Sequence, residues 1–180
     1  MSKIDNFGVV TLNYYDGWRT LEEQSSTRMT EATYVFGNHL DEALTMARSG
    51  ANYYYHQNTL RSVFALSDTT GKGVEGYSYD AYGYETVILP GHDGSLDFDS
   101  DDVYLPGGKS SYGNPFLFTG QRLDFETGLM YYKHRYESTR FGRFLSRDPL
   151  GYRAGDMNLY EYVKGRPTFA TDPSGETDRL

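Results

Sequence analysis

At 180 residues, with 18 tyrosines, 10 phenylalanines, 20 glycines and a formal charge of −8, the chain is sized for one domain or a piece of a larger architecture. Its acidic balance argues against a nucleic-acid partner, because neutralising phosphates needs clustered Lys and Arg. The lack of cysteine rules out disulfides, thiolate chemistry and cysteine metal sites, and no apolar run reaches the length of about 18 residues that a membrane span needs.

Abundant Tyr and Gly favour strands and tight turns, since rings pack on a pleated face and Gly supplies the positive φ of hairpins. The N-terminus, Met1-Ser2-Lys3-Ile4-Asp5-Asn6, has no apolar stretch of the kind a standard signal peptide carries. Val9 to Tyr15 alternates and runs into Tyr15-Asp16-Gly17-Trp18-Arg19, where Asp-Gly signals a hairpin. Thr33 to Phe36 reads as a short strand ended by Gly37, and Ala43 to Arg48 as a helical turn. From Asn52 a repeat sets in. Tyr53 to His56 is a strand, Gln57 to Leu60 a turn and Ser62 to Leu66 a second strand, closed by Asp68 to Gly73. Val74 to Tyr79 is a third, and the turn clusters recur at all-β spacing. Tyr15-Asp16 and Tyr79-Asp80 mark two repeat units. Residues 91–113 form an acidic polar loop. After it, Phe116 to Thr119 and Met130 to Tyr136 flank Gln121 to Gly128 as a further hairpin. The chain thus divides into a divergent N-terminal β segment (1–50), repeats (51–90), the loop (91–113) and a terminal core (114–180).

Within the loop, Asp97, Asp99 and Asp101 stand at the spacing of the first three ligands of a calcium loop, with Asp93 and Asp102 nearby. Asp102 then occupies the sixth position, which needs Gly, and Gly108 the twelfth, which needs Glu. A solvated acidic loop is expected, with no metal and no cofactor. His39, His56, His92 and His134 are scattered without metal-ligand spacing, and His56 reads as a packing residue in its strand. No nucleophile elbow, phosphate loop or dinucleotide fingerprint is present. The tyrosine ladder is expected to stabilise the sheet by cross-strand pairing. Lining a cavity or stacking on carbohydrate are the alternative uses of the same rings.

The last third carries the most specific pattern. It runs Asn114-Pro115-Phe116-Leu117-Phe118-Thr119-Gly120-Gln121-Arg122-Leu123-Asp124, then Glu126-Thr127-Gly128-Leu129-Met130-Tyr131-Tyr132 and Arg135-Tyr136. Phe141-Gly142-Arg143-Phe144-Leu145-Ser146-Arg147-Asp148-Pro149-Leu150-Gly151 follows, with Asn158-Leu159-Tyr160-Glu161-Tyr162-Val163 and Asp172-Pro173-Ser174-Gly175 behind it. The pattern resembles the C-terminal core of the rearrangement-hotspot (RHS) or YD-repeat family. Gly76-Tyr77-Ser78-Tyr79-Asp80-Ala81-Tyr82-Gly83 resembles the repeats that precede that core. The resemblance implies an all-β fold: a strip of stacked antiparallel hairpins, part of a hollow shell, with an irregular C-terminal plug. It implies encapsulation or display of other polypeptides, in a polymorphic-toxin or cell-surface setting. The expected partners are a polypeptide cargo or further repeats of the shell.

The same resemblance implies a site. In toxin-complex members, aspartates matching Asp148 and Asp172, with the Arg matching Arg147, form an intramolecular aspartic protease that frees a C-terminal cargo. Two carboxylates held close share one proton, so one can activate water while the other polarises the scissile carbonyl. The chain departs from that pattern at Glu176, where cleaving members carry Leu, and it ends at Leu180. Asp156 is a third carboxylate in the region. Read from the residues alone, Asp148-Pro149 and Asp172-Pro173-Ser174-Gly175 are also complete turns, with Asp capping its own backbone and Pro fixing φ. A structural shell end, a single-turnover autoprotease and a truncated remnant without independent function therefore stand side by side at this point.

Overall fold

The computed structural model describes residues 2–4, 9–155 and 157–176. Strands β1 (Ser2–Ile4), β2 (Val10–Asp16), β3 (Arg19–Ser25), β4 (Thr30–Phe36) and β5 (Ala43–Arg48) open a single sheet. It continues through β6 (Ala51–Gln57), β7 (Val63–Ser67), β8 (Gly73–Tyr79), β9 (Glu85–Leu89) and β10 (Val103–Pro106), strictly in chain order. Every neighbouring pair is antiparallel. A second sheet, again in chain order, holds β11 (Arg122–Asp124), β12 (Leu129–Tyr132), β13 (Arg135–Ser138) and β14 (Arg143–Phe144). The described residues contain no α-helix, only short 3-10 turns at Phe118–Gly120, Gly151–Ala154 and Val163–Gly165. The all-β strip of hairpins is what the sequence predicts.

The loops show why the strip forms. Four of them, Ser25–Met29, Asn58–Ser62, Asp68–Lys72 and Asp80–Tyr84, share one five-residue design. In each, the first and fifth residues close a backbone hydrogen bond, and the fourth donates back to the first carbonyl. That fourth residue takes a positive φ: Arg28 at 63°, Arg61 at 68°, Gly71 at 84° and Gly83 at 85°. The first side chain caps the loop from within. Asp80 Oδ1 accepts from the amides of Tyr82 and Tyr84, both at 2.9 Å, and Asp68 and Asn58 repeat the pattern. The Asp of Tyr79-Asp80 is thus a turn device and Tyr79 belongs to the strand, whereas Asp16 of the other pair is the last residue of β2, opposite Arg19.

Ala43 to Arg48 is a strand, not the helical turn expected. It pairs on both sides, and the turn after it uses Ser49 (φ 54°) and Gly50 (φ 78°), the two left-handed residues of a type I′ hairpin. Residues 91–113 are also more structured than an acidic loop. Val103 to Pro106 extends the sheet beside β9, and Leu96 and Phe98 lie over the bare backbone of Gly73 and Gly76. Asp102 is buried and accepts from the amides of Gly91 and Phe98. Its carboxylates serve the segment's own turns. Met130 to Tyr136 is not one strand but two, broken by a tight turn at Lys133-His134.

The strip is apolar on one face, and the C-terminal segment covers that face. In β4, Ala32 and Tyr34 are buried while Thr33 and Val35 are exposed, as a period of two requires. Phe116 is the centre of the contact, with ring centroids 5.0 Å from Tyr34, 5.4 Å from Phe36 and 6.3 Å from Tyr55. Tyr53 meets Tyr112 and Tyr79 meets Phe118 along the same seam. The covered tyrosines are therefore packing residues, as expected, whereas Tyr14, Tyr54 and Tyr104 point to solvent. His56, read as packing, is exposed on the open face and bonds Ser67 Oγ at 2.8 Å.

Buried polar groups fix where the cover sits. Asn114 is fully buried and satisfied on both ends of its amide. Its oxygen accepts from Tyr55 Oη and the Phe116 amide, and its nitrogen donates to Tyr77 Oη and the Phe116 carbonyl. Truncating Phe116 to Ala should lower stability by about 3–5 kcal/mol in urea unfolding, because the ring fills the seam. The same truncation at Phe141, which is 74% exposed, should stay within about 0.5 kcal/mol of wild type.

Candidate functional site

Strand β13 starts immediately after the Lys133-His134 turn, and this places Arg135 with its side chain only 3% exposed. The guanidinium lies 3.6 Å from the centre of the Phe144 ring, stacked on the neighbouring strand β14. Its donors then reach three separate segments. Nε donates to the Gly175 carbonyl, Nη1 to the Leu159 carbonyl at 3.3 Å, and Nη2 faces both Asp148 Oδ2 at 3.0 Å and Asp172 Oδ2 at 3.3 Å. The two aspartates singled out in the sequence thus meet on one nitrogen of a third residue. Burial pulls the Arg135 pKa down, and Asp148 and Asp172 push it back. One buried cation thus faces two carboxylates.

Each aspartate is also a turn residue. Asp148 Oδ1 accepts from the Leu150 amide at 2.7 Å, and its carbonyl accepts from Gly151. Asp172 Oδ1 accepts from the amides of Gly175 at 2.8 Å and Glu176 at 3.1 Å. Gly175 has φ 78°, and a Cβ there would stand 2.6 Å from the Tyr132 carbonyl, so the turn can lie against β12 only with glycine. Beside the pair opens a cleft of about 50 Å³, also lined by Asn158, Glu161, Lys164 and Glu176.

Arg147 does not take the place expected beside the acids. It is exposed and directs Nε to Tyr160 Oη at 3.4 Å, away from the cleft. Asp156 lies outside the described residues. The charged group between the aspartates is Arg135. Its signal in the sequence was the Arg135-Tyr136 pair within the terminal pattern, but no spacing rule ties residue 135 to 148 or 172.

Beneath the clasp lies Glu137, two residues along β13 and fully buried. Neither carboxylate oxygen accepts a well-formed hydrogen bond among the described residues, although the Tyr132 hydroxyl lies near enough to offset part of the cost. Burial pushes the carboxyl up to about 8, and the charges of Asp80 and Asp172 add to the shift.

The other sequence candidates are dispersed. Ligand atoms of Asp97, Asp99 and Asp101 come within 4.8 Å of one another on the surface. Asp99 accepts from the Asp101 amide and Asp101 from the His92 amide, so both also build the loop. His39 and His92 are exposed and far apart in the chain, while His134 is exposed with its ring 4.9 Å from Trp18.

No family model matches the chain. It is 33% identical over 173 residues to the tRNA3(Ser)-specific nuclease WapA of Bacillus spizizenii, covering 93% of this chain and 7% of that protein. It is 46% identical over 61 residues to the toxin protein Tse5 of Pseudomonas aeruginosa, covering 34% of this chain and 5% of the relative. The fold resembles a chain in the Photorhabdus luminescens Tc holotoxin pore, with a TM-score of 0.65 and 22% identity, over 99% of this chain and 8% of that one. The chain therefore spans only a small part of the proteins it matches.

Glu137 gives the site a measurable pH signature. Its pKa is raised from an ordinary 4.5, so between about pH 4.5 and 8 the unfolded chain releases a proton that the folded chain keeps. Stability should fall across that window and level off above it, with each unit of separation worth about 1.4 kcal/mol at most. Glu137→Gln should flatten the slope and raise the urea midpoint at pH 8. An unchanged pH profile in the variant would show that Glu137 does not set it.

Proposed function

The chain belongs to the RHS, or YD-repeat, family, and on that premise we propose that it forms the closing end of a β-shell that encloses or displays another polypeptide. The observation that carries this reading is the C-terminal segment lying across the apolar face of the strip and ending in the Arg135 clasp. A segment held in this way covers the strip and fixes its last turn at a defined place. Among the described residues the strip also has two outer strands, β1 and β10, that pair on one side only. In β10 all four residues are exposed. An unpaired strand edge is a template for another strand, so neighbouring repeats of a shell are fitting partners for it. The nuclease activity named for the Bacillus relative is that protein's own. The acidic balance of the present chain does not favour nucleic acid at this segment.

A second reading, single-turnover self-cleavage at Asp148 and Asp172, is favoured by one observation: both carboxylates line the same cleft as Glu176. Against it, both acids turn Oδ2 to the buried guanidinium of Arg135, whereas a proton-sharing pair directs its two carboxyls at each other.

A reporter domain appended after Leu180 separates the two. The structural reading expects an intact fusion by mass spectrometry, in the wild-type chain and in Glu176→Leu alike. Release of the reporter that disappears in Asp148→Asn and Asp172→Asn would establish the protease and overturn a purely structural end. For the clasp itself, Asp172→Ala should expose residues 145–176 to limited proteolysis while β2 to β9 stay protected.

A further inference from the structure

Apart from the clasp, a buried ion pair between Asp41 and Lys133 joins the strip to its cover. Asp41 lies in the loop between β4 and β5, Gln121 immediately before β11, and Lys133 in the turn between β12 and β13. Lys133 Nζ is 2.5 Å from Asp41 Oδ1 and 2.6 Å from Gln121 Oε1, while Gln121 Nε2 donates to Asp41 Oδ2 at 3.0 Å. The Lys133 and Asp41 side chains are each 7% exposed, and Gln121 is fully buried.

The backbone is arranged to bring these groups together. Lys133 has φ 62°, a left-handed conformation that costs a non-glycine residue free energy and that the surrounding structure must hold. At Gly120 a Cβ would lie 2.2 Å from the Asp41 carbonyl, so only glycine lets Gln121 approach. A cavity of about 20 Å³ adjoins the three side chains, walled by Trp18, Phe36 and Phe116. A void of that size has room for one water molecule.

We propose that Lys133 and Asp41 condense within the folded chain to form an isopeptide bond that links the strip covalently to its C-terminal cover. Within the pair, Nζ first passes one proton to Oδ1, leaving a neutral amine and a neutral carboxylic acid. The Nζ lone pair then attacks Cγ, and the amide of Gln121 donates to Oδ2 where negative charge develops. The Cγ–Oδ1 bond breaks, Nζ loses a second proton, and Oδ1 leaves as water. One C–N bond forms, one C–O bond breaks, and no oxidant or cofactor enters. Burial favours the neutral pair that the reaction needs and pulls the Lys133 pKa down, with the Asp41 charge opposing it. Two groups fixed at contact distance also react without the entropy cost of an encounter. The product would close a loop between residues 92 apart in the chain.

The test is the intact mass of the purified full-length chain, measured after denaturation. The linked chain is lighter than its sequence by one water, about 18 Da, and its tryptic digest holds a branched peptide joining Asp41 to Lys133. Lys133→Arg keeps the ion pair and should restore the full sequence mass. Asp41→Asn should lose ammonia in place of water, a deficit of about 17 Da. A folded wild-type sample at its full sequence mass, with no branched peptide, overturns the proposal. So does a deficit that survives in Lys133→Arg, or a branch mapped to Gln121. If a variant fails to fold, the wild-type mass and the branched peptide decide alone.

Discussion

A sheet that does not close on itself must hide one face, and the rest of this molecule depends on how that is done. The ten-stranded strip carries buried Ala32, Tyr34, Met46, Tyr55, Val63 and Tyr77 on one side. Left open, these would be a large exposed apolar area, which soluble chains avoid. The chain supplies its own cover, with Phe116, Leu117, Phe118, Leu123 and Met130 from the C-terminal third. Strip and cover therefore share one core.

Apolar contact alone does not say where the cover should lie, because rings slide over rings at little cost. The buried polar groups supply that information. Glu23 on β3 binds Arg48 on β5 and Arg122 on β11, the latter at 2.7 Å, and so ties three strands of the two sheets at one carboxylate. Glu75 on β8 accepts from Ser110 Oγ at 2.5 Å and the Ser111 amide at 2.7 Å. Asn114 is satisfied in only one position. Each such group is costly if displaced and adds little if replaced by a fitting apolar residue. What they confer is a single register of cover on strip, at some expense in stability.

The strip was legible in the sequence because its information is local. Asp-Gly at 16–17 and the Asp-initiated loops announce their turns through residue types that the turn geometry demands, and alternation does the rest. Ala43 to Arg48 misled because Ala, Leu and Met favour helices, and pairing on both sides overrode that preference. Val103 to Leu105 was hidden for a related reason: three apolar residues among acids become a strand only once β9 offers an edge. The site was less legible. Asp148 and Asp172 were reached through the family resemblance, while their Asp-Pro turns read equally well as plain turns; the residue between them, Arg135, comes from a hairpin and not from the loops. No spacing in one dimension reports a meeting of residues 135, 148 and 172, or of 41, 121 and 133.

The five-residue loop has a further consequence. Because its cap, its closing bond and its left-handed residue all lie inside the loop, a hairpin built on it asks nothing of distant sequence to make its turn. Because the strands follow one another without crossovers, each pairs within the sheet with the strand before it and the strand after it. Deleting or duplicating one such unit leaves a sheet that can still be traced without breaking any other pairing. The length of the strip is then a quantity that recombination can change in whole steps, while the cover, with its long-range buried contacts, has to be inherited in one piece.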